Sequence, residues 1–199
     1  MSVKYEKNNL KPNVMKKVFL LLVLISPYLK AEEFSGYYIT NNLDTVNCII
    51  NINYHNFSKV TKKVNLIDNE GKKKFKPNEI NSFVINTRYG EPYKFVSLGV
   101  DEKNFYHEII NGKISLYIFY PPTLLYGGPE IPVALKDNEL VFLNAINRKQ
   151  RVSNLLKDNP VVLEKWEATK FNAWTDSNLD TTEIEKYFRE YNEFYTNEE

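Results

Sequence analysis

The chain of 199 residues has little of what small stapled or metal-held domains are built from. It carries one cysteine, Cys48, so no disulfide can close within it and no cysteine pair can hold zinc. Two histidines are present, His55 and His107, and neither belongs to a His-Glu-x-x-His arrangement. The seven glycines form neither a phosphate-cradling loop nor a Gly-x-Ser-x-Gly turn. No Asp-x-Asp-x-Asp-Gly loop offers a calcium site. The longest uninterrupted apolar run, residues 18–25, is eight residues long, far from the roughly 20 a spanning helix needs. No internal repeat or low-complexity linker follows it. These absences give no support for a metal or a cofactor, and the chain is read as non-enzymatic.

What is present begins with an address. Met15-Lys16-Lys17 precedes the apolar run, and Ser26-Pro27-Tyr28-Leu29-Lys30-Ala31 follows it. A basic start, a short apolar stretch and a small residue before a cut are the layout of a secretory signal peptide. The expected cut lies between Ala31 and Glu32, with Leu29 where a smaller residue is usual. A retained anchor and a buried core helix are the competing readings, both disfavoured by the shortness of the run and by Pro27 and Lys30. Residues 1–14 read as an upstream extension, with Met15 as an alternative start. The expected location is periplasmic or extracellular, with no stable membrane span after cleavage.

Cleavage changes the charge. It removes six lysines (4, 7, 11, 16, 17 and 30) and Glu6, leaving 20 basic and 24 acidic side chains, so the formal charge moves from +1 to −4. A mildly acidic chain has no general attraction to nucleic acid, whose non-specific binding rests on clustered Lys and Arg. The run Lys72-Lys73-Lys74 is short and reads as a solvated strand or turn edge.

Fourteen Tyr and twelve Phe favour strands, and the patterning agrees. Residues 37–40, 45–52, 63–67, 72–76, 80–87, 93–100, 105–110, 113–120, 131–136 and 139–143 read as strands. Val46, Cys48, Ile50 and Ile52 would share a buried face, with Cys48 an inert thiol. Asp68-Asn69-Glu70-Gly71 suggests a hairpin turn, and Asn111-Gly112 and Asp137-Asn138 are read as tight hairpin turns. From residue 146 the period becomes helical. Val152, Leu155 and Leu156 share a face; Asn159 would cap a helix opening at Pro160, with Val162, Leu163 and Trp166 inward. Asp180 with Glu183 announces a last helix with a stripe of Ile184, Tyr187, Phe188, Tyr191, Phe194 and Tyr195, and with Glu185 paired to Arg189. Strands first and helices last imply an α+β fold: an antiparallel sheet, or a partly open barrel or sandwich, over residues 32–145, followed by two to three helices over 146–199 packed on it as one domain.

Gly36-Tyr-Tyr-Ile-Thr-Asn-Asn-Leu-Asp-Thr45, Phe75-Lys-Pro-Asn-Glu-Ile80 and Leu155-Leu-Lys-Asp-Asn-Pro160, with Ile184 and Tyr191-Asn192, resemble segments of a group of uncharacterised secreted β-rich proteins of Gram-negative bacteria. Members of that group often carry a cysteine where Asn159 stands. The resemblance implies fold and address, and no activity.

Candidate contact residues come from one unusual stretch, Leu116-Tyr-Ile-Phe-Tyr-Pro-Pro-Thr-Leu-Leu-Tyr-Gly-Gly-Pro129. Ile114, Leu116, Ile118 and Tyr120 would line one face of its strand, and Tyr117 and Phe119 the other, so both faces would be covered. Tyr117, Tyr120 and Tyr126 are the candidate ligand-binding residues, with Tyr126 on a Pro- and Gly-bounded loop suited to stacking on a sugar or packing against a partner. The alternative is a loop that only covers the core. His107 and Glu108, as strand neighbours, would point to opposite faces, and both histidines read as structural or solvated. Asn56-Phe57-Ser58 is a glycosylation sequon without weight in a bacterial envelope. The expected function is a binding or interaction module for an envelope protein or glycan. The rivals are a hydrolase with unlocated carboxylates and an assembly protein docking through its last helix.

Overall fold

A computed structural model describes residues 32–52, 57–87, 90–122, 130–144, 147–169 and 181–196. All belong to one compact unit, Glu32–Glu199. Ten strands form a single antiparallel sheet: β1 (Glu32–Thr40), β2 (Thr45–Ile52), β3 (Val64–Asp68), β4 (Gly71–Phe75), β5 (Ile80–Ile85), β6 (Tyr93–Leu98), β7 (Asp101–Ile110), β8 (Ser115–Phe119), β9 (Ile131–Lys136) and β10 (Glu139–Phe142). The order across the sheet is β10-β9-β8-β7-β6-β5-β1-β2-β3-β4. Two meanders therefore run outward from β1, and the 3-10 turn Pro77–Glu79 returns the chain from the β4 edge to β1's other side. Three helices follow, α1 (Arg148–Leu156), α2 (Pro160–Ala168) and α3 (Thr181–Thr196). This is the α+β fold with an open sheet and a helical tail that the patterning implies.

Direct cross-strand partners share a face. Tyr38 lies opposite Phe83, Phe83 opposite Phe95, Phe95 opposite His107 and His107 opposite Ile118. That ladder belongs to a core with Phe34, Cys48, Ile50, Ile52, Val64, Leu66 and Phe105. The segment after β2 crosses over it: Val60 is buried there, and Phe105 N donates to Thr61 O at 2.7 Å. On the same face, towards β10, the helices pack on Ile110, Leu116 and Ala134 through Val152, Leu156, Val162, Trp166, Ile184, Phe188 and Tyr191. The opposite face carries a second apolar layer of Val96, Leu98, Tyr106, Tyr117 and Val133. β8 is thus covered on both sides, as its two apolar faces require.

Strand β1 starts at Glu32, five residues earlier than its β-prone letters suggest. Phe34 and Gly36 face the core, and Gly36 has no room for a side chain: a Cβ there would lie 2.0 Å from Val84 O and 2.9 Å from Ile50 Cδ1. The Asp137-Asn138 turn is as expected, with both residues at positive φ (50° and 63°) between Lys136 and Glu139. The hairpin at Asn111-Gly112 exists but is not a two-residue turn. Ile110 pairs with Leu116, and neither turn residue has positive φ. The loop is shaped instead by Ser115 Oγ, which accepts from Gly112 N, and by Asn192 of α3. Asn192 Oδ1 accepts from Ile114 N at 2.8 Å and its Nδ2 donates to Ile114 O at 2.9 Å, a side chain acting as a strand edge. Gly112 leaves room for it, since a Cβ would sit 2.4 Å from Asn192 Nδ2.

Asn159 caps α2 as read, its Oδ1 accepting from Val162 N at 3.2 Å, with Pro160 opening the helix. Asp180 lies outside the described residues. Glu185 and Arg189 pair at 2.6 Å. Both sheet edges are blunted. β4 carries exposed Lys72 and Lys74, with Lys73 bound to Asp68 and Glu70. At the β10 end, Arg148 Nε donates to Leu143 O at 2.7 Å, and Arg151 Nη1 donates to Phe142 O.

Candidate functional site

Strand parity separates the sequence candidates. Tyr117, 4% exposed, turns to the second apolar layer beside Tyr106, with ring centroids 6.3 Å apart. Tyr120 turns to the other face, where its hydroxyl lies 3.2 Å from His107 Nδ1. The two therefore contribute to no common surface, and Tyr117 offers none to a ligand. Tyr126, His55 and Ala31 lie outside the described residues, while Glu32 is exposed at the start of β1. His107 and Glu108 point to opposite faces as read. Glu108 is bound to Lys94 across the sheet at 2.8 Å.

The neighbourhood of Tyr120 is where aromatic and polar groups meet a recess. The β6–β7 register sets His107 opposite Phe95, with Tyr93 one pleat along on the same face. The ring of Tyr93 lies 4.9 Å from that of His107, and Phe95 lies 5.4 Å from it. Phe57, on the 3-10 turn Phe57–Lys59, closes over Tyr93, Phe95 and Tyr120 at 5.1, 5.6 and 5.3 Å. Thr87, Gly90 and Glu91 stand at the rim. There Thr87 Oγ1 donates to Gly90 O at 3.0 Å, and Gly90 has a φ of +134°, which favours glycine. Together Thr87, Glu91, Tyr93, His107, Glu108 and Ile109 line a hollow of about 380 Å³, at the small end of ligand pockets.

His107 is the chemical centre of this hollow. Burial holds its imidazole down at about 4, so the ring is neutral near pH 7. Nδ1 is engaged with Tyr120, and among the described residues none is hydrogen-bonded to Nε2. The buried side-chain atoms left without a partner among the described residues are Ser82 Oγ, Asn104 Oδ1 and Asn159 Nδ2.

Two wider hollows differ in kind. One, of about 770 Å³, lies among Lys62, Lys76, Asp101 and Lys103. Asp101 there is saturated, accepting from Tyr106 Oη at 2.5 Å, Asn104 Nδ2 at 2.6 Å and Lys103 N at 3.0 Å. The other, about 780 Å³, separates the β9–β10 hairpin from α1, and its polar groups are ties between sheet and helices. Lys136 Nζ donates to Leu155 O at 2.6 Å and to Asp158 Oδ1 at 2.7 Å, and Tyr191 Oη donates to Asp158 Oδ2 at 2.7 Å. Burial raises the Asp158 carboxyl, but Lys136 and Tyr191 outweigh it and leave the group below the usual carboxylate range. Among the described residues, no three His, Cys, Asp or Glu side chains gather as a metal site.

Sequence reasoning placed His107 on a strand but did not find the hollow. The alternations Tyr93-x-Phe95 and Phe105-x-His107, folded into an antiparallel pair, would have signalled an aromatic patch around one histidine. No family model matches the chain, and neither a curated protein nor a solved structure matches it.

Proposed function

We propose that this chain is an exported, non-enzymatic binding module of the bacterial envelope, and that it captures its ligand at the hollow lined by Thr87, Glu91, Tyr93 and His107. One observation carries the reading: a mostly buried, neutral imidazole, its Nδ1 engaged by Tyr120, stands in an aromatic-walled recess of small-ligand size. Export is supported by the basic-apolar-small layout of residues 15–31. No helix among the described residues is long and apolar enough to cross a membrane.

The rival roles draw less support. Asp68, Asp101 and Asp158 are each held by hydrogen bonds and shifted below the usual carboxylate range, the opposite of a general acid raised for proton donation. Helix α3 buries Ile184, Tyr187, Phe188 and Tyr191 within this chain, and of its large apolar side chains only Phe194 is counted as exposed. Such burial makes the helix a wall of the core, which favours the binding reading over docking through α3.

The test has two parts. N-terminal sequencing of the protein from its own cell should give Glu32; an intact Met1 or Met15 removes the export claim. A thermal-shift screen of envelope-derived small molecules should find ligands that stabilise the wild type and fail to stabilise a folded Tyr93→Ala variant. Ligands that stabilise both equally place binding elsewhere.

A further inference from the structure

The outer edge of β10 fits a second copy of this chain. From it we infer a symmetric dimer in which the two β10 strands pair and the two sheets run on into one another. This surface stands apart from the ligand reading at His107.

Strand parity fixes which groups of β10 face outward. The Asp137-Asn138 turn joins Lys136 to Glu139 as a hydrogen-bonded pair, and bonded and non-bonded pairs alternate from there. Leu140, opposite Leu135, and Phe142, opposite Val133, form the non-bonded pairs, so their N–H and C=O groups turn away from β9. Two observed bonds agree with this parity. Leu143 N donates inward to Pro132 O, and Phe142 O, on the outer side, accepts from Arg151 Nη1. Pro132 has no N–H to return, so Leu143 O is served by Arg148 instead. The arginines therefore blunt only the end of β10. Among the described residues, the Leu140 N–H and C=O and the Phe142 N–H have no partner. A hollow of about 780 Å³ separates this strand from α1.

Open backbone groups at alternate residues are a template for another strand, and β10 is complementary to itself. A two-fold axis at Val141 sets Leu140 opposite Phe142 of the second copy, and both such pairs exchange N–H···O bonds. The Phe142 carbonyl has a second lone pair beside the one Arg151 uses. Val141 meets its own copy as a close β-branched pair, and the half-buried Leu140, Val141 and Phe142 lose further apolar surface.

Charge selects this partner and this direction. Glu139 is exposed at the start of the edge, and Arg151 stands at its other end, bonded to Phe142 O and Asn144 Oδ1. Both lie on the α1 face, which Glu139 shares with Lys136, whose ammonium reaches Leu155 O. Neither has an ion partner among the described residues. In the antiparallel register each Glu139 comes against the partner's Arg151, whereas a parallel pairing would bring like charges together. The β4 edge offers no such match: Lys72 and Lys74 are exposed on it, and two copies would repel there. The contact is only 4 residues long on each side, so the dimer is weak, with a Kd of roughly 0.1–1 mM.

The experiment is sedimentation equilibrium of the purified chain, as its own cell produces it, from about 10 μM to about 1 mM. A monomer–dimer equilibrium should appear, and amide exchange over residues 139–143 should slow as concentration rises. Glu139→Arg, at an exposed hairpin position, should weaken the dimer about tenfold, and Arg151→Glu should do the same. Mixed in equal amounts, the two variants should associate again, because every arginine then faces a glutamate of the other chain. Should Arg151→Glu not fold, Glu139→Arg and the exchange data decide alone. A chain that stays monomeric throughout, a dimer that Glu139→Arg leaves unchanged, or folded variants that do not associate when mixed overturns the inference.

Discussion

Gly36 shows how a single residue can hold the two meanders together. It sits in β1 between β2 and β5, opposite both Cys48 and Ile85. The carbonyl of Val84 occupies the space a Cβ would need, and a backbone atom cannot rotate away. Gly36→Ala should therefore cost about 2–4 kcal/mol, read as a lower urea midpoint at unchanged slope. A loss under about 0.5 kcal/mol would show that β1 and β5 separate easily. His107 gives a second prediction at this scale. Its folded value of about 4 lies below its unfolded value of about 6.5, so the unfolded chain binds the proton first as pH falls. The associated stability is complete above about pH 6.5 and is lost as pH drops towards 4. The difference corresponds to about 3 kcal/mol. His107→Phe should flatten the urea midpoint across pH 4 to 6.5, while the wild type declines there. A parallel decline in both would assign that titration to other groups.

At the level of elements, the helices are bound to the sheet through few polar points set in an apolar contact. Lys136, 8% exposed, reaches the Leu155 carbonyl of α1 and Asp158, and Asp158 is bound in turn by Tyr191 of α3. Asp158→Asn should cost about 1–3 kcal/mol, because it removes the negative charge that faces a buried ammonium, even though the amide oxygen can still accept. The double variant with Lys136→Met should cost clearly less than the sum of the two single changes. Strict additivity by urea titration would mean that the pair is not coupled. These long-range ties also explain what was legible beforehand. The Asp137-Asn138 turn was readable because two short polar residues at φ > 0 close a hairpin without outside help. The form of the Asn111-Gly112 loop was not, because Asn192, 78 residues from Ile114, decides it. The early start of β1 was hidden by Glu32-Glu33 and by Gly36, which look unlike a strand until their neighbours are known. The hollow was hidden for the same reason. Phe57, Tyr93, His107 and Tyr120 come from four separate segments, and only register brings them together. Tyr117 and Tyr120 were visible as aromatic, but not that one is committed to the second apolar layer.

For the whole molecule, the titrating groups combine into a single profile. On the acid side, Lys73 holds Asp68 down, while Asp101 and Asp158, raised by burial, are brought below the usual range by the hydrogen bonds they accept. Depressed carboxylates contribute stability that is present above their unfolded values near 4 and disappears as pH falls through the folded ones. That loss begins below the window in which His107 acts, so the acid limb should have two stages. On the alkaline side the sign reverses. Burial, with Asp68's charge adding, pushes the Cys48 thiol up to about 11, and burial also raises the phenols of Tyr106 and Tyr191, each bound to a carboxylate. The unfolded chain releases these protons first, so stability falls once pH passes about 9. The chain should accordingly show a plateau of urea midpoint between about pH 6.5 and 9, a first decline from 6.5 to 4, and a second below 4. In Cys48→Ala the alkaline decline should start later, since only the phenols remain to drive it. An alkaline limb unchanged by that substitution would show that the thiol is not held in the core of the folded protein, and would question the packing of β2 against β1.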